Sequence, residues 1–152
     1  MQNIDASALR YADRRTKNLG ANWFYWLAGF SALNSIVVYL TGAQNSPFAF
    51  AATQWLDGTR GPMSSEGWPP PMHEMALILN LLIAAAFAGF GYLARRGNDV
   101  AFVVGLFLYV VDSMLAIGLR DFWGFCFHVL GFFFLFKGLL ASRHLRENAT
   151  TI

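Results

Sequence analysis

The sequence predicts an all-α integral membrane protein: a four-helix bundle with a short extra amphipathic helix on the outer face between the first and second spans. Two observations predict it. Hydrophobic residues make up 56% of the 152-residue chain and charged residues 13%, against roughly 45–50% and 25% in soluble globules. The apolar residues also gather into four runs, at 19–41, 75–94, 100–119 and 122–140. Each is close to the ~20 residues that cross a ~30 Å hydrocarbon core at 1.5 Å per residue, and none has the polar face of a soluble helix. The chain reads as a single transmembrane domain with an outer segment at 43–71 and polar tails at 1–18 and 141–152.

Span 19–41 opens with Trp23, Tyr25 and Trp26, the amphipathic aromatics that settle at a membrane interface. Thr41 and Ala43 resemble the small residues of a signal-peptide cleavage site. The apolar run exceeds the usual ~7–15 residues of such a peptide and a polar segment precedes it, so an uncleaved anchor is the expectation. Segment 43–71 is too long for a structureless connection in a compact domain. Within it Ser46-Pro47 is a helix-start signal, Asp57-Gly58 a stop, and FAFAATQWL between them is too short to span. A short helix lying on the outer face, or dipping into it, is expected there. The glycine- and proline-rich stretch GTRGPMSSEGWPPP links it to span 75–94, with His73 and Glu74 in that span's first turn. Spans 100–119 and 122–140 are joined by a tight Arg120-Asp121 turn, and Lys137 near the end of the last can snorkel to the interface.

Orientation follows from the basic flanks. Arg10, Arg14, Arg15, Lys17, Arg95, Arg96, Lys137, Arg143 and Arg146 share one side, and Arg60 and Arg120 are on the other. The positive-inside rule then puts both termini in the cytoplasm. The net charge of +2 is dispersed, which argues against a nucleic-acid partner. Cys126 alone can form neither an internal disulfide nor a CxxC redox site, and a place in the core is expected for it.

The run VAFVVGLFLYVVDSMLAIGL contains one ionisable group, Asp112. A charge at that depth costs roughly 2.5–3.5 kcal/mol on insertion scales, so it should face the interior and have a partner. His128 is the candidate. Asn34, Asn80, Asp112 and His128 each stand seven or eight residues from the outer end of their span, about 10–12 Å deep at 1.5 Å per residue. Helical spacing extends each into a stripe: Ser31, Asn34, Ser35; His73, Leu77, Asn80, Ala84; Gly105, Tyr109, Asp112, Ala116; and Asp121, Gly124, His128, Gly131. The glycines beside His128 admit a close neighbour, and Ala85 with Gly89 offers a second small-residue contact surface. His144, in the terminal tail, is expected to be solvated.

These four residues form a candidate ligand-binding layer. Carboxylate and neutral imidazole are metal ligands, and Asn adds a carbonyl oxygen. Asp112 and His128, with His73, Glu74, Asp57 and Asp121 toward the mouth, make a candidate set for a divalent ion such as zinc. An Asp–His pair is also the orienting half of an acid–base catalyst, so catalysis stays open. The alternative is glue: interhelical polar contacts that stabilise a membrane bundle by about 0.6–2 kcal/mol each. No phosphate loop, nucleophile elbow or HExxH motif occurs, and His128 has no second histidine at its depth to complete a bis-histidine haem.

Three stretches carry a resemblance: NWFYWLAGFSALNS (22–35), TQWLD (53–57) and AFVVGLFLYVVDSMLAIGLRDFWGFCFHVLGFFFLFKGL (101–139). They include Asn34, Gln54, Asp57, Asp112, Asp121 and His128. In them the chain resembles a group of small multi-pass bacterial membrane proteins with no assigned activity. The resemblance implies a multi-pass inner-membrane protein and transfers no catalytic residue. Three functions are open at this stage. One is a bundle binding a divalent metal or small polar ligand. Another is a non-catalytic interaction or assembly subunit, with itself or another membrane protein as partner. The third is a small proton-coupled carrier, disfavoured because no ionisable residue continues the layer inward.

Overall fold

A computed structural model describes residues 2–41, 49–58 and 70–150. Five helices follow one another: α1 (Gln2–Thr41), α2 (Ala51–Leu56), α3 (Pro70–Arg95), α4 (Asp99–Gly118) and α5 (Phe122–Thr150). All but α2 are long and apolar enough to cross a membrane, and no strand occurs among the described residues. The expected all-α four-helix architecture is what the chain adopts. α1 packs on α3 and α5, α4 packs on α3 and α5, and successive long helices run antiparallel.

The two outer long helices extend past their apolar runs. α1 begins at Gln2 and α5 continues to Thr150, so the expected polar tails are largely helix. These extensions pair through His144 Nδ1 and Asp13 Oδ2 at 2.7 Å, so His144, though exposed, is not simply solvated. At the same end, buried Asp99 accepts from Ser142 Oγ at 2.5 Å and pairs with Arg146.

The turns show why the helices stop. Gly97 takes φ 85°, and Asn98 N–H reaches back to Leu93 O at 3.1 Å, the left-handed close for which glycine has no steric cost. Asn98 then caps α4, its side chain accepting from Ala101 N at 3.2 Å. The turn from α4 to α5 closes in the same way with Arg120 at φ 56°, a left-handed residue that is not glycine.

Aromatic packing fills the half of the bundle nearer the chain termini. Phe24 lies 5.9 to 6.2 Å, centroid to centroid, from Phe87, Phe90 and Phe102, and Leu135 and Leu139 complete that core. α1 and α5 cross at Gly20 and Gly138, where an added Cβ on Gly20 would lie 2.5 Å from Gly138 Cα. Only glycine permits backbones that close. Leu33, Leu40, Met75, Ile78, Leu82, Phe107, Met114 and Trp123 point outward, the apolar shell that hydrocarbon rather than water would cover.

Several expectations need correcting. Cys126 is exposed on the outer surface of α5 rather than in the core, because the core side of that turn is taken by Gly124 and His128. Ala85 and Gly89 also face outward; Ala84 and Gly91, one face over, meet the core and α1. The extra helix is shorter than FAFAATQWL and starts at Ala51. The Ser46-Pro47 start signal falls outside the described residues.

Candidate functional site

α2 does not lie flat on the outer face. Ala49, Phe50, Ala51, Thr53 and Gln54 are buried, while Trp55 is exposed. The helix therefore dips among α1, α3 and α4 with its polar residues inward and its tryptophan outward. The buried side is mixed, with Thr53 and Gln54 beside Ala49, Ala51 and Phe50, whose ring packs on Phe87 at 4.3 Å. The four stripes supply the reason: the space they enclose is polar.

Asp112 holds the start of α2. Its Oδ2 accepts from Ala51 N at 3.0 Å and its Oδ1 from Ala52 N at 2.8 Å. Phe50 N donates to Ser31 Oγ at 2.8 Å. The first amides of any helix lack intrahelical acceptors and favour negative charge. α2 has no side-chain cap of its own, and the carboxylate of α4 takes that place across 61 residues of sequence.

His128 completes the carboxylate's shell. Its Nε2 lies 2.6 Å from Asp112 Oδ2 and its Nδ1 lies 2.7 Å from Gly124 O. A carbonyl only accepts, so Nδ1 carries a proton. One further proton then lies between Nε2 and Oδ2. Whichever atom holds it, the pair has no net charge, and this is how a carboxyl group is tolerated at membrane depth. Tyr109 stacks on the imidazole at 4.8 Å and 15°, fixing the ring. Both imidazole nitrogens are thus engaged by groups of the chain itself.

Asp57 holds the end of α2. It is the C-cap residue, and its Oδ2 accepts from Ser35 Oγ at 3.0 Å and its Oδ1 from Asn80 Nδ2 at 2.5 Å. Asn80 also donates to Thr53 O at 3.3 Å. Burial pushes the Asp57 carboxyl up to about 6, while the hydrogen bonds from Ser35 and Asn80 and the nearby His73 pull the other way.

The candidate residues now have places. Asn34, Asn80, Asp112 and His128 are all buried, and Asp112 meets His128 directly. Asn80 belongs instead with Asp57. Asp57 sits at the C-cap of α2, where Ser35 and Asn80 donate to its carboxylate. Asp121 is buried and accepts from Gly124 N at 3.0 Å, capping α5. His73 and Glu74 are exposed. Among the described residues no three His, Cys, Asp or Glu side chains gather closely enough to hold a metal ion. The candidate metal set fails to converge because its carboxylates are drawn to helix ends. The space beside His128 is a groove of about 110 Å³ between α4 and α5, with Tyr109, Phe125, Val129 and Phe132 along it. Apart from Ser113 and His128 itself its lining is chiefly apolar, unlike the polar cavity a hydrated ion would need.

Sequence reasoning put Ser31 on an inward stripe but missed the partners that matter most, the backbone amides of Phe50, Ala51 and Ala52. Backbone amides carry no residue signature, although the helix-length run ending in TQWLD marked the segment. Comparison with family models, with curated proteins and with solved structures finds no match to this chain.

Proposed function

We propose that the chain is a non-catalytic membrane scaffold. Its polar layer is a socket that clamps α2 at both ends, and it presents α2 to a membrane-protein partner. The observation that carries this reading is the spending of the layer's hydrogen bonds on α2: Asp112 and Ser31 on its first amides, and Asn80 and Ser35 on its C-cap carboxylate. A catalytic histidine needs a ring nitrogen directed at substrate, and His128 has both nitrogens engaged. The distribution of Lys and Arg supports cytoplasmic termini, and the resemblance of the three stretches supports a bacterial inner membrane.

Binding of a divalent ion or small polar ligand finds less support, since Asp112 and His128 would have to leave α2 to provide ligands. Proton-coupled transport meets a dry inner half, where Phe24, Phe87, Phe102 and Leu135 are buried and offer no relay. The test is a photo-crosslinker at exposed Trp55, used in native membranes. A discrete adduct with one other protein is expected. A chain that yields no adduct and carries one equivalent of divalent metal by elemental analysis would overturn the scaffold and restore the metal reading.

A further inference from the structure

At the end of the bundle that carries both termini, a concavity of about 530 Å³ lies between the α1 and α5 extensions and the close of α3. Arg10, Arg14, Lys17 and Arg95 line it, with Asn18 and Asn148. No carboxylate is among its lining residues; of the acidic groups on the neighbouring turns, Asp13 pairs with His144, Asp99 pairs with Arg146, and Glu147 lines the adjacent concavity with Asp99, Arg143 and Arg146. Lys17 Nζ donates to Arg95 O at 3.1 Å, so one cation is pinned to the end of α3 and the concavity has a fixed wall. Like charges gathered this closely repel, and an anion among them relieves that repulsion.

Depth identifies the kind of anion. Lys17 precedes the first apolar run by two residues, and Arg95 follows directly on the apolar run of α3. Both therefore stand at the level where lipid phosphates lie. Basic pockets between transmembrane helices at that level suit anionic headgroups, and guanidinium groups bind phosphate oxygens two at a time. Asn18 and Asn148 add neutral donors suited to a glycerol or phosphate oxygen. The geometry points to a binding site for the phosphate of an anionic phospholipid headgroup in this concavity, drawn from the leaflet that faces the chain termini.

The experiment is native mass spectrometry of the full chain in mild detergent, titrated with dioleoyl phosphatidylglycerol and, in parallel, dioleoyl phosphatidylcholine. A saturable single-lipid adduct with phosphatidylglycerol is expected, with at least tenfold weaker retention of phosphatidylcholine. The Arg14→Gln, Lys17→Gln, Arg95→Gln triple variant should lose about 100-fold in affinity. A charge-matched triple, Arg15→Gln, Lys137→Gln, Arg143→Gln, should lose less than about threefold. Thermal melts of each variant without lipid confirm that the fold is retained. Equal losses in the two triples, or equal retention of the two lipids, would overturn the site. Saturation by inorganic phosphate at the lipid's own concentration would overturn the assignment to a lipid in favour of a free anion.

Discussion

Replacing Asp112 with asparagine keeps the shape of the side chain and removes its ability to accept hydrogen bonds on both sides. In one amide orientation Nδ2 faces Ala51 N–H and His128; in the other it faces Ala52 N–H. Either way one buried α2 amide loses its acceptor and opposes another donor. A buried donor left without a partner costs about 1–3 kcal/mol, and about 2 kcal/mol corresponds to roughly a 30-fold rise in the open population of α2. The assay is thiol labelling of a Thr53→Cys reporter in detergent. Thr53 is fully buried and its hydroxyl donates to Phe50 O, so the reporter is silent while α2 is seated. Exposed Cys126 must first be changed to serine. Adding Asp112→Asn should raise the labelling rate about 30-fold, with little change in the melting of the four long helices. An increase below about threefold would mean that Asp112 does not hold α2, and the socket would fall with it.

Three further outcomes are expected. Gly20→Ala places a methyl 2.5 Å from Gly138 Cα and 2.8 Å from Phe134 O, and should cost about 1–3 kcal/mol; Gly89→Ala meets no atom within 4 Å and should be neutral or up to about 1 kcal/mol stabilising. Thermal melts of the two variants side by side check the contrast. Arg120→Gly relieves a left-handed φ of 56° and should raise stability by about 0.5–1 kcal/mol, read as a higher melting temperature. The Asp57 carboxyl is raised in the seated state from 3.8 to about 6. Its neutral form therefore favours the seated state at pH below about 4, and that contribution is lost as pH rises through about 6. Labelling at Thr53→Cys should accelerate across that window, and Asp57→Asn should abolish the dependence; acceleration in the opposite direction would refute the assignment.

The four crossings were legible because hydropathy is a local property. A run such as 100–119 announces its environment residue by residue, and the 3.6-residue period already put Tyr109 and Asp112 on one buried face. The pairing of Asp112 with His128 was legible too, since matched depth in antiparallel spans needs only counting. The sequence misled at Cys126 and Gly89. Small residues fit a core and a lipid-facing surface equally well, and only the rotation of each helix decides between them.

The purpose of the layer was beyond that kind of reading. Asp57, His73, Glu74 and Asp121 share the chemistry of metal ligands, and nothing in their spacing distinguishes a ligand from a cap. The structure separates them: Asp121 turns back to its own helix and Asp57 to Asn80.

By itself, then, the amino-acid order determined an oily all-helical bundle with hydrophilic groups at one height, because burial preference and helical period are written in side chains. Tertiary structure alone decided what those groups hold. The ligands of Asp112 are main-chain amides of a segment 61 residues away, and main-chain amides are the same in every residue until folding brings one particular pair to the carboxylate.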